Sequence, residues 1–544
     1  MRPDCRPLMI ATALLALTPV SLTAAETMIA LCPGKIAGGQ ASVAVDGSFE
    51  TLLVGQTAAG CLEAKVPAER NDILWIGPAP VFLTAAQPLI LVGDFRQKPV
   101  AIRSIEAVDT TVPGGPPFVS SDVPYWQARP FGVEERVEIV DEREGLNATC
   151  QPGRKPAGLL VRLPIAATAA RHLRISYRSS VPLDIGLSDE GADSVPLTVL
   201  PASEAVRTVL TDAGASHLTV SCRGQGAFEI IAIGPGASGW AWAPDLWRAS
   251  PDALIAEALA LGVDTLYVSV PVKHDGVADA KALATFIAKA SRRGIQVWAV
   301  DGDPRAILSA ERDRFSARAQ AYERFNAGEA PESRISGLQL DIEPYVMPGY
   351  GQATESFDRA WAATITAVAT ATHLPVTAAV PFWFAHPPHR EWALDTAAAS
   401  LAGIAVMAYR GEAAKAAAIA EPALAWGEEN GVPVRVALEN GLIPDEDRLI
   451  FQPAATGTLW KMPLGGRQVL VLLDRPAANP LGPAFGLAVE GRLSGDVISF
   501  QGNTLAFAAA ADAVQRRFAD RPSFRGLALH GILDSAVDLD LHDH

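Results

Sequence analysis

Two rhythms of apolar and polar positions divide the chain. Between residues 26 and 235, short runs of β-branched and alternating apolar residues recur, such as Asp72-Ile-Leu-Trp-Ile-Gly77 and Pro88-Leu-Ile-Leu-Val-Gly93. Gly, Pro and Asp separate them, and no long 3.6-residue periodicity intervenes, so the segment predicts strands. A Pro/Gly-dense stretch from Val112 to Pro117 reads as a linker. Residues 26–112 are therefore expected to form an N-terminal β-rich domain. Beyond the linker, Gly158–Leu163, His172–Tyr177, Leu183–Leu187, His217–Cys222 and Phe228–Ile233 are strand candidates, most of them closely spaced. That spacing predicts a β-sandwich over 118–236.

From Gly239 apolar strands alternate with Ala-rich helical stretches, the pattern of a parallel α/β fold. Strands are expected at Gly239–Trp247, Val263–Val270, Gln296–Asp301, Gly337–Glu343, Val376–Trp383, Ile404–Tyr409, Val434–Glu439 and Gly526–Leu533. Helices fall between them, including Pro251–Leu261, Ala280–Arg293, Glu355–Thr372, Trp392–Leu401 and Ala413–Gly431. Eight such units over 239–544 predict a (β/α)8 TIM barrel, a fold of ~250 residues before insertions. Arg467–Leu473 and Ala484–Val489 suggest a small β subdomain inserted between strands seven and eight, at about 444–522.

Composition narrows the class. With 544 residues, 49% hydrophobic and 19% charged, the chain is globular and long enough for several domains. A formal charge of −15 argues against a nucleic-acid surface, which needs clustered Lys and Arg. Arg2 and Arg6, the apolar run Ile10–Leu22 and the small residues of Thr23-Ala24-Ala25 read as a cleaved signal peptide over 1–25. That run is too short to span a bilayer, and no later stretch is a membrane-span candidate, so a periplasmic or secreted location is expected. Removal of Cys5 with the signal leaves Cys32, Cys61, Cys150 and Cys222. An even count in an oxidising compartment suggests two disulfides, and nearest-neighbour pairing gives Cys32–Cys61 and Cys150–Cys222 among three possible connectivities.

In such barrels the working residues sit at C-terminal strand ends. The predicted ends carry Asp245, Lys273, Asp301, Asp341, Glu343, Trp383, Tyr409, Glu439, His530 and Asp534, an accumulation of carboxylates on one rim. In Ser336-Gly337-Leu338-Gln339-Leu340-Asp341-Ile342-Glu343, period two puts Gln339, Asp341 and Glu343 on one side, facing the axis. Two carboxylates at i and i+2 repel when both are charged, which raises one pKa, as a general acid near neutral pH requires. The structural alternative is an ion-paired couple, with Arg410 as partner.

The same segment resembles the strand-four signature of family-18 chitinase-like glycoside hydrolases, Asp-Gly-φ-Asp-φ-Asp-φ-Glu, where φ is apolar. Residue by residue, Glu343 falls on the catalytic acid and Asp341 on its assisting aspartate, while Ser336 and Gln339 replace the first two aspartates. Met407-Ala408-Tyr409 matches the family's Met-x-Tyr on strand six, whose tyrosine contacts the substrate N-acetyl group that acts as internal nucleophile. The family's Ser-x-Gly-Gly on strand three appears as Ala299-Val300-Asp301-Gly302, and its strand-eight tryptophan is replaced by His530 or a neighbour. The resemblance covers 239–540. A second mechanism stands beside it. Ile342-Glu343-Pro344 is similar to the Asn-Glu-Pro of retaining barrel glycosidases, in which Glu439 on strand seven would be nucleophile and Glu343 the acid/base. The alternative for Glu439 is a loop-ordering carboxylate capping Asn440-Gly441.

Aromatic residues supply the other half of a sugar site, because the CH face of a pyranose packs on an aromatic plane. Tyr345 and Tyr350 follow the acid in sequence. Trp383 and Tyr409 are the leading candidates, followed by Trp242 of the strand-one tryptophans; Gln339, Asp301, Arg410, His530 and Asp534 complete the expected substrate-binding set. The 118–236 sandwich resembles the jelly-roll modules of carbohydrate-active enzymes, and a spacer without ligand is the equal alternative. The expected function is an exported glycoside hydrolase acting on a polysaccharide, with N-acetylhexosamine polymers the substrate that the resemblance implies. The rival is a non-catalytic polysaccharide-binding or assembly protein on the same barrel. No cofactor or metal is expected.

Overall fold

The computed structural model of the chain describes residues 126–533 apart from short loop segments, together with the backbone of strands between residues 26 and 93. The expected signal peptide, the 112–117 linker, the side chains of Cys32 and Cys61, and Asp534 lie outside the described residues. The chain divides into two compact units. One comprises Met1–Thr110, Glu343–Asp358 and Pro444–Ser494; the other comprises Thr111–Ile342, Arg359–Ile443 and Gly495–His544.

In the larger unit, eight parallel strands close into a barrel: β1 (Ala237–Ala241), β2 (Val263–Ser269), β3 (Gln296–Asp301), β4 (Leu338–Leu340), β5 (Val376–Pro381), β6 (Gly403–Met407), β7 (Val434–Glu439) and β8 (Phe524–His530). The expected TIM barrel is present. Its interior is filled by matching large residues to small ones: Trp240, Tyr267 and Val300 on β1–β3 pack with Ala405, Ala437 and Ala528 on β6–β8. Bulk on one wall against alanine on the other is how such a layer reaches crystal-like density.

Several strands end earlier than their patterns suggest, β1 by the most. β1 ends at Ala241, and Pro244 opens helix α1 (Pro244–Ala249) where the pattern predicts strand as far as Trp247. Proline with its fixed φ favours the first turn of a helix and ends the strand. β4 covers only Leu338–Leu340, because Pro344 at the first turn of a 3-10 helix pulls the chain out of the sheet. Helix α2 (Ser309–Gly328) is not among the expected helices. It is largely polar; Phe315, Ala319, Tyr322 and Phe325 supply a buried stripe at spacings of four and three, with Ala321 buried beside it.

The β-sandwich belongs to the same unit. One antiparallel sheet has the order Val137–Asp141, Leu146–Cys150, Gly226–Pro235, His172–Ser179, Glu204–Leu210; the other runs Val195–Leu200, Leu183–Ser188, His217–Cys222, Ala157–Arg162, Ala128–Gly132. Inward residues of both sheets, among them Leu146, Ile175, Tyr177, Leu159 and Val220, share one core. The Cys150–Cys222 disulfide ties one sheet to the other. A disulfide of this kind belongs to an oxidising, extracytoplasmic setting. Strand Gly226–Pro235 passes into β1 through Gly236 alone.

The smaller unit holds a nine-stranded sheet that departs from expectation. Glu446–Ala454, Gly457–Leu464, Arg467–Ala477 and Ala484–Leu493 lie between β7 and β8 in sequence, as the expected insertion does, but the first and third of them also pair with N-terminal strands. Arg467–Ala477 runs parallel to Ile73–Ile76, and Glu446–Ala454 runs antiparallel to Leu89–Gly93. The insertion is thus not a subdomain of its own. Its four strands end at Leu493, and helix α3 (Thr504–Phe518) within the expected 444–522 span is the helix before β8.

Candidate active site

The C-terminal ends of β6, β7, β8 and β1, neighbours around the closed barrel, present Tyr409, Glu439, His530 and Trp242. Glu439 is the last residue of β7, stands opposite His530 in the strand register, and is 3% exposed. Its Oε2 lies 2.5 Å from His530 Nδ1, and its Oε1 accepts the Gly441 backbone N–H at 2.6 Å. Room for this carboxylate comes from glycine. A Cβ at Gly531, where φ is +65°, would stand 2.3 Å from Glu439 Oε1, so no side chain fits there.

On the far side of the imidazole, the Trp242 indole Nε1–H donates to His530 Nε2 at 2.8 Å. An indole nitrogen can only donate, so Nε2 must accept and the imidazole proton sits on Nδ1, facing Glu439. One neutral tautomer satisfies both bonds. Glu439 is thus engaged through both carboxylate oxygens, one at the Asn440-Gly441 turn and one at His530.

Beneath this rim Trp240, 1% exposed, donates from Nε1 to Gln339 Oε1 at 2.6 Å, joining β1 to β4 through the barrel interior. Gln339 is fully buried, and its Nε2 has no hydrogen-bond partner among the described residues. Burial pushes the pKa of the neighbouring Tyr267 phenol above its ordinary value. Trp242, Trp298 and Tyr409 pack against the same interior cluster. Asp341, half-buried, follows β4 and donates its backbone N–H to the Asp301 carbonyl at 2.9 Å.

Asp301 is not at the rim of the axis, contrary to its expected place in the substrate-binding set. Val300 faces the interior, so alternation sends Asp301 outward to α2, where Arg318 Nε lies 2.7 Å and the Tyr322 hydroxyl 3.4 Å from Oδ2. Burial raises its carboxyl pKa to about 6 against the opposing pull of the Arg318 charge. Asp245 likewise sits exposed on α1, beside Arg248. Arg410 donates from Nη1 to the Tyr409 carbonyl at 2.7 Å and stacks 5.0 Å from the Phe382 ring centroid; burial lowers its guanidinium pKa. Trp383, half-buried on the 3-10 turn Phe382–Ala385, packs edge-on against Phe382.

Glu343 belongs to the Glu343–Asp358 segment of the smaller unit. It caps the 3-10 turn Pro344–Val346, and the Tyr345 hydroxyl donates to its Oε1. Tyr345, Tyr350 and Phe357 form an aromatic row behind it, and the Tyr350 hydroxyl donates to the buried Asp358 at 2.9 Å. Sequence reasoning places Tyr345 only among the aromatic residues of a sugar site. The i, i+2 spacing to Glu343 across a proline turn is the available signal for its bond to the acid.

Among the described residues no group of His, Cys, Asp and Glu is arranged to hold a metal ion, and no helix is long and apolar enough to cross a membrane. No family model matches the chain, and no curated protein matches it. Solved structures do. The chain is similar to the family-18 chitinase of Cycas revoluta in complex with (GlcNAc)3, at 16% identity and a TM-score of 0.30, over 56% of this chain and 96% of that one. A chitinase from Chromobacterium violaceum ATCC 12472 matches at 14% identity and a TM-score of 0.30, over 57% and 100%. A point variant of the family-29 carbohydrate-binding module CBM29-2 matches at 9% identity and a TM-score of 0.17, over 20% and 74%.

Proposed function

We propose that this chain is an exported, periplasmic or secreted, glycoside hydrolase that cleaves a polysaccharide containing N-acetylhexosamine. Glu343 is the general acid/base, Asp341 its electrostatic partner, and Tyr409 a substrate contact. The observation that carries the reading is Gln339. It is wholly buried, is bonded to Trp240 through the barrel interior, and its amide Nε2 has no partner among the described residues. Alternation from that inward residue directs Asp341 to the same axis, one step nearer the mouth. A buried amide N–H of this kind can donate to a water or to a polar group of a ligand. Glu343 follows two residues later, and backbone geometry alone limits the separation of the two Cα atoms to about 7 Å.

The chemistry balances with these groups. The Glu343 proton passes to the glycosidic oxygen as the C1–O bond breaks with its electron pair leaving on that oxygen. The acetamido carbonyl oxygen of the same sugar attacks C1, and the Asp341 carboxylate stabilises the positive charge that develops on the acetamido group. Water then adds at C1 as the bond between C1 and the acetamido oxygen breaks, its electron pair returning to that oxygen; the water gives a proton to Glu343, which restores the acid. Trp242, Trp383 and Arg410 line the sugar site in this reading.

A second reading, a non-catalytic polysaccharide-binding protein, is favoured by one observation. The position that an acid would hold in the strand-four signature carries Gln339, and its carbonyl is already committed to Trp240. The test is to assay wild type and Glu343→Gln on chitin oligosaccharides, poly-N-acetylglucosamine and β-glucans. Hydrolysis requires wild-type turnover that drops by about 10²–10⁴ in the variant, the contribution of a positioned acid/base. Binding by both without turnover supports the second reading. Neither binding nor turnover overturns the carbohydrate assignment.

A further inference from the structure

Asp301 closes β3 with a buried carboxylate on a face that parallel barrels cover with helices and keep apolar. Arg318 Nε of helix α2 lies 2.7 Å from its Oδ2. The Tyr322 hydroxyl, 3.4 Å from the same oxygen, stands 3.0 Å from the Val270 carbonyl just past β2. The carboxylate also accepts the backbone N–H of Gly302. An apolar contact of the same size would hold α2 to the strand at least as well. What the carboxylate adds is direction, since α2 fixes it and it fixes the Gly302 peptide. That peptide is where β3 meets the end of β4. The Asp301 carbonyl accepts the Asp341 N–H at 2.9 Å, and the Asp341 carbonyl packs on Gly302 so closely that a Cβ would stand 2.0 Å away. Two consecutive residues thus grip the peptide groups on both sides of Asp341.

We infer that Asp301 and Arg318 are positioning residues, which fix the backbone of Asp341 through the Gly302 peptide and so set where its side chain leaves the strand. The inference rests on the hydrolase reading above, in which Asp341 stabilises charge that develops on the substrate. Neither Asp301 nor Arg318 touches the sugar. A displacement on the order of 1 Å in a group of that kind costs up to about a hundredfold in rate. Because the charge that Asp341 meets arises only in the transition state, the loss falls on kcat and leaves KM in place.

The test is steady-state kinetics of the full chain on the β-1,4-linked tetrasaccharide of N-acetylglucosamine. Asp301→Asn keeps the shape of the side chain without its charge. Arg318→Met keeps the length of a side chain that is 37% exposed, so the variant folds even if Asp301→Asn does not. Each should lower kcat about tenfold with KM within about twofold of wild type. The double variant should be no slower than the slower single one, because the two residues act as a unit, and Arg318→Lys should retain most of the rate. A pH profile gives the second readout. Arg318 and Tyr322 of α2, and Asp303 of the following turn, are the charged and titratable groups that act on the carboxylate. Burial raises the Tyr322 phenol far above this range, and for Asp303 the Arg305 hydrogen bonds outweigh burial and lower the carboxyl. Asp301, raised to about 6 by burial against the pull of Arg318, is the member that changes charge between about pH 5 and 7. The ratio of wild-type kcat to that of Asp301→Asn should be largest near pH 7 and approach one near pH 5. Turnover by wild type that Arg318→Met leaves unchanged, a loss carried in KM, or a ratio equal at both pH values would overturn the inference and leave the hydrolase reading intact. Absence of turnover by wild type overturns that reading, and the inference with it.

Discussion

Asp341 hangs from Asp301 through a single backbone hydrogen bond of 2.9 Å, and Gly302, the residue after Asp301, lies with its Cα against the Asp341 carbonyl. A Cβ at 302 would stand 2.0 Å from that oxygen. The close approach of two backbones, and not a turn, is what requires glycine here. Gly302→Ala is therefore expected to push the ends of β3 and β4 apart and cost about 1–3 kcal/mol, as overpacking does. Denaturant unfolding reads the stability. If Asp341 assists Glu343, turnover should fall further than the stability loss explains. Unchanged unfolding would show that the strand ends give way freely.

The Asp301 carboxyl predicts a pH dependence. Its folded pKa is raised to about 6 by burial, from an ordinary 3.8. The folded chain therefore keeps this proton to higher pH than the unfolded chain does. Its contribution to stability is greatest below about pH 4, declines as pH rises from 4 to 6, and is level above. Two pKa units correspond to a decline on the order of 3 kcal/mol. Asp301→Asn carries no titrating group, so the stability difference between wild type and variant should shift against wild type across that window. A difference that stays constant from pH 4 to 7 would show that Arg318 holds the carboxylate charged throughout.

Asp301 also marks where sequence reading stops. Period two across Gln296–Asp301 is legible, but which of Val300 and Asp301 faces the axis depends on how β3 is rolled in the barrel, and the alternation has no sign of its own. Trp240 and Gln339, by contrast, sit at positions where inward bulk meets Ala405, Ala437 and Ala528 on the opposite wall. The eight-strand rhythm and the sandwich rhythm are both readable because apolar periodicity is local. The joint sheet of Ile73–Ile76 with Arg467–Ala477 is not, since pairing across nearly 400 residues leaves no mark within either strand. Helix α2 escapes the pattern because its exposed face is polar and its buried face is narrow, five residues of which two are alanines. The Glu439–His530–Trp242 chain joins the ends of three strands. Each residue is a visible candidate, and only the closed barrel brings them together.

The last prediction concerns how the sandwich is joined to the barrel. Arg174 on strand His172–Ser179 lies 2.7 Å from Asp512 on α3, with side chains 4% and 9% exposed. Ser176 Oγ donates to the other Asp512 oxygen at 2.9 Å, and Arg516, one turn on, donates to the Ile231 carbonyl at 2.9 Å. Since α3 leads into β8, this contact couples the sandwich to the strand that carries His530. Asp512→Ala would leave the Arg174 charge buried without its partner, a loss of about 3–5 kcal/mol, whereas the paired change Arg174→Met/Asp512→Leu removes both charges and should cost far less. Denaturant unfolding of the full chain reads both. The contrast between them is the informative quantity, because a module merely tethered through Gly236 would tolerate either change. If Asp512→Ala unfolds within about 1 kcal/mol of wild type, the sandwich is such a tethered module and has no part in holding α3 against the barrel.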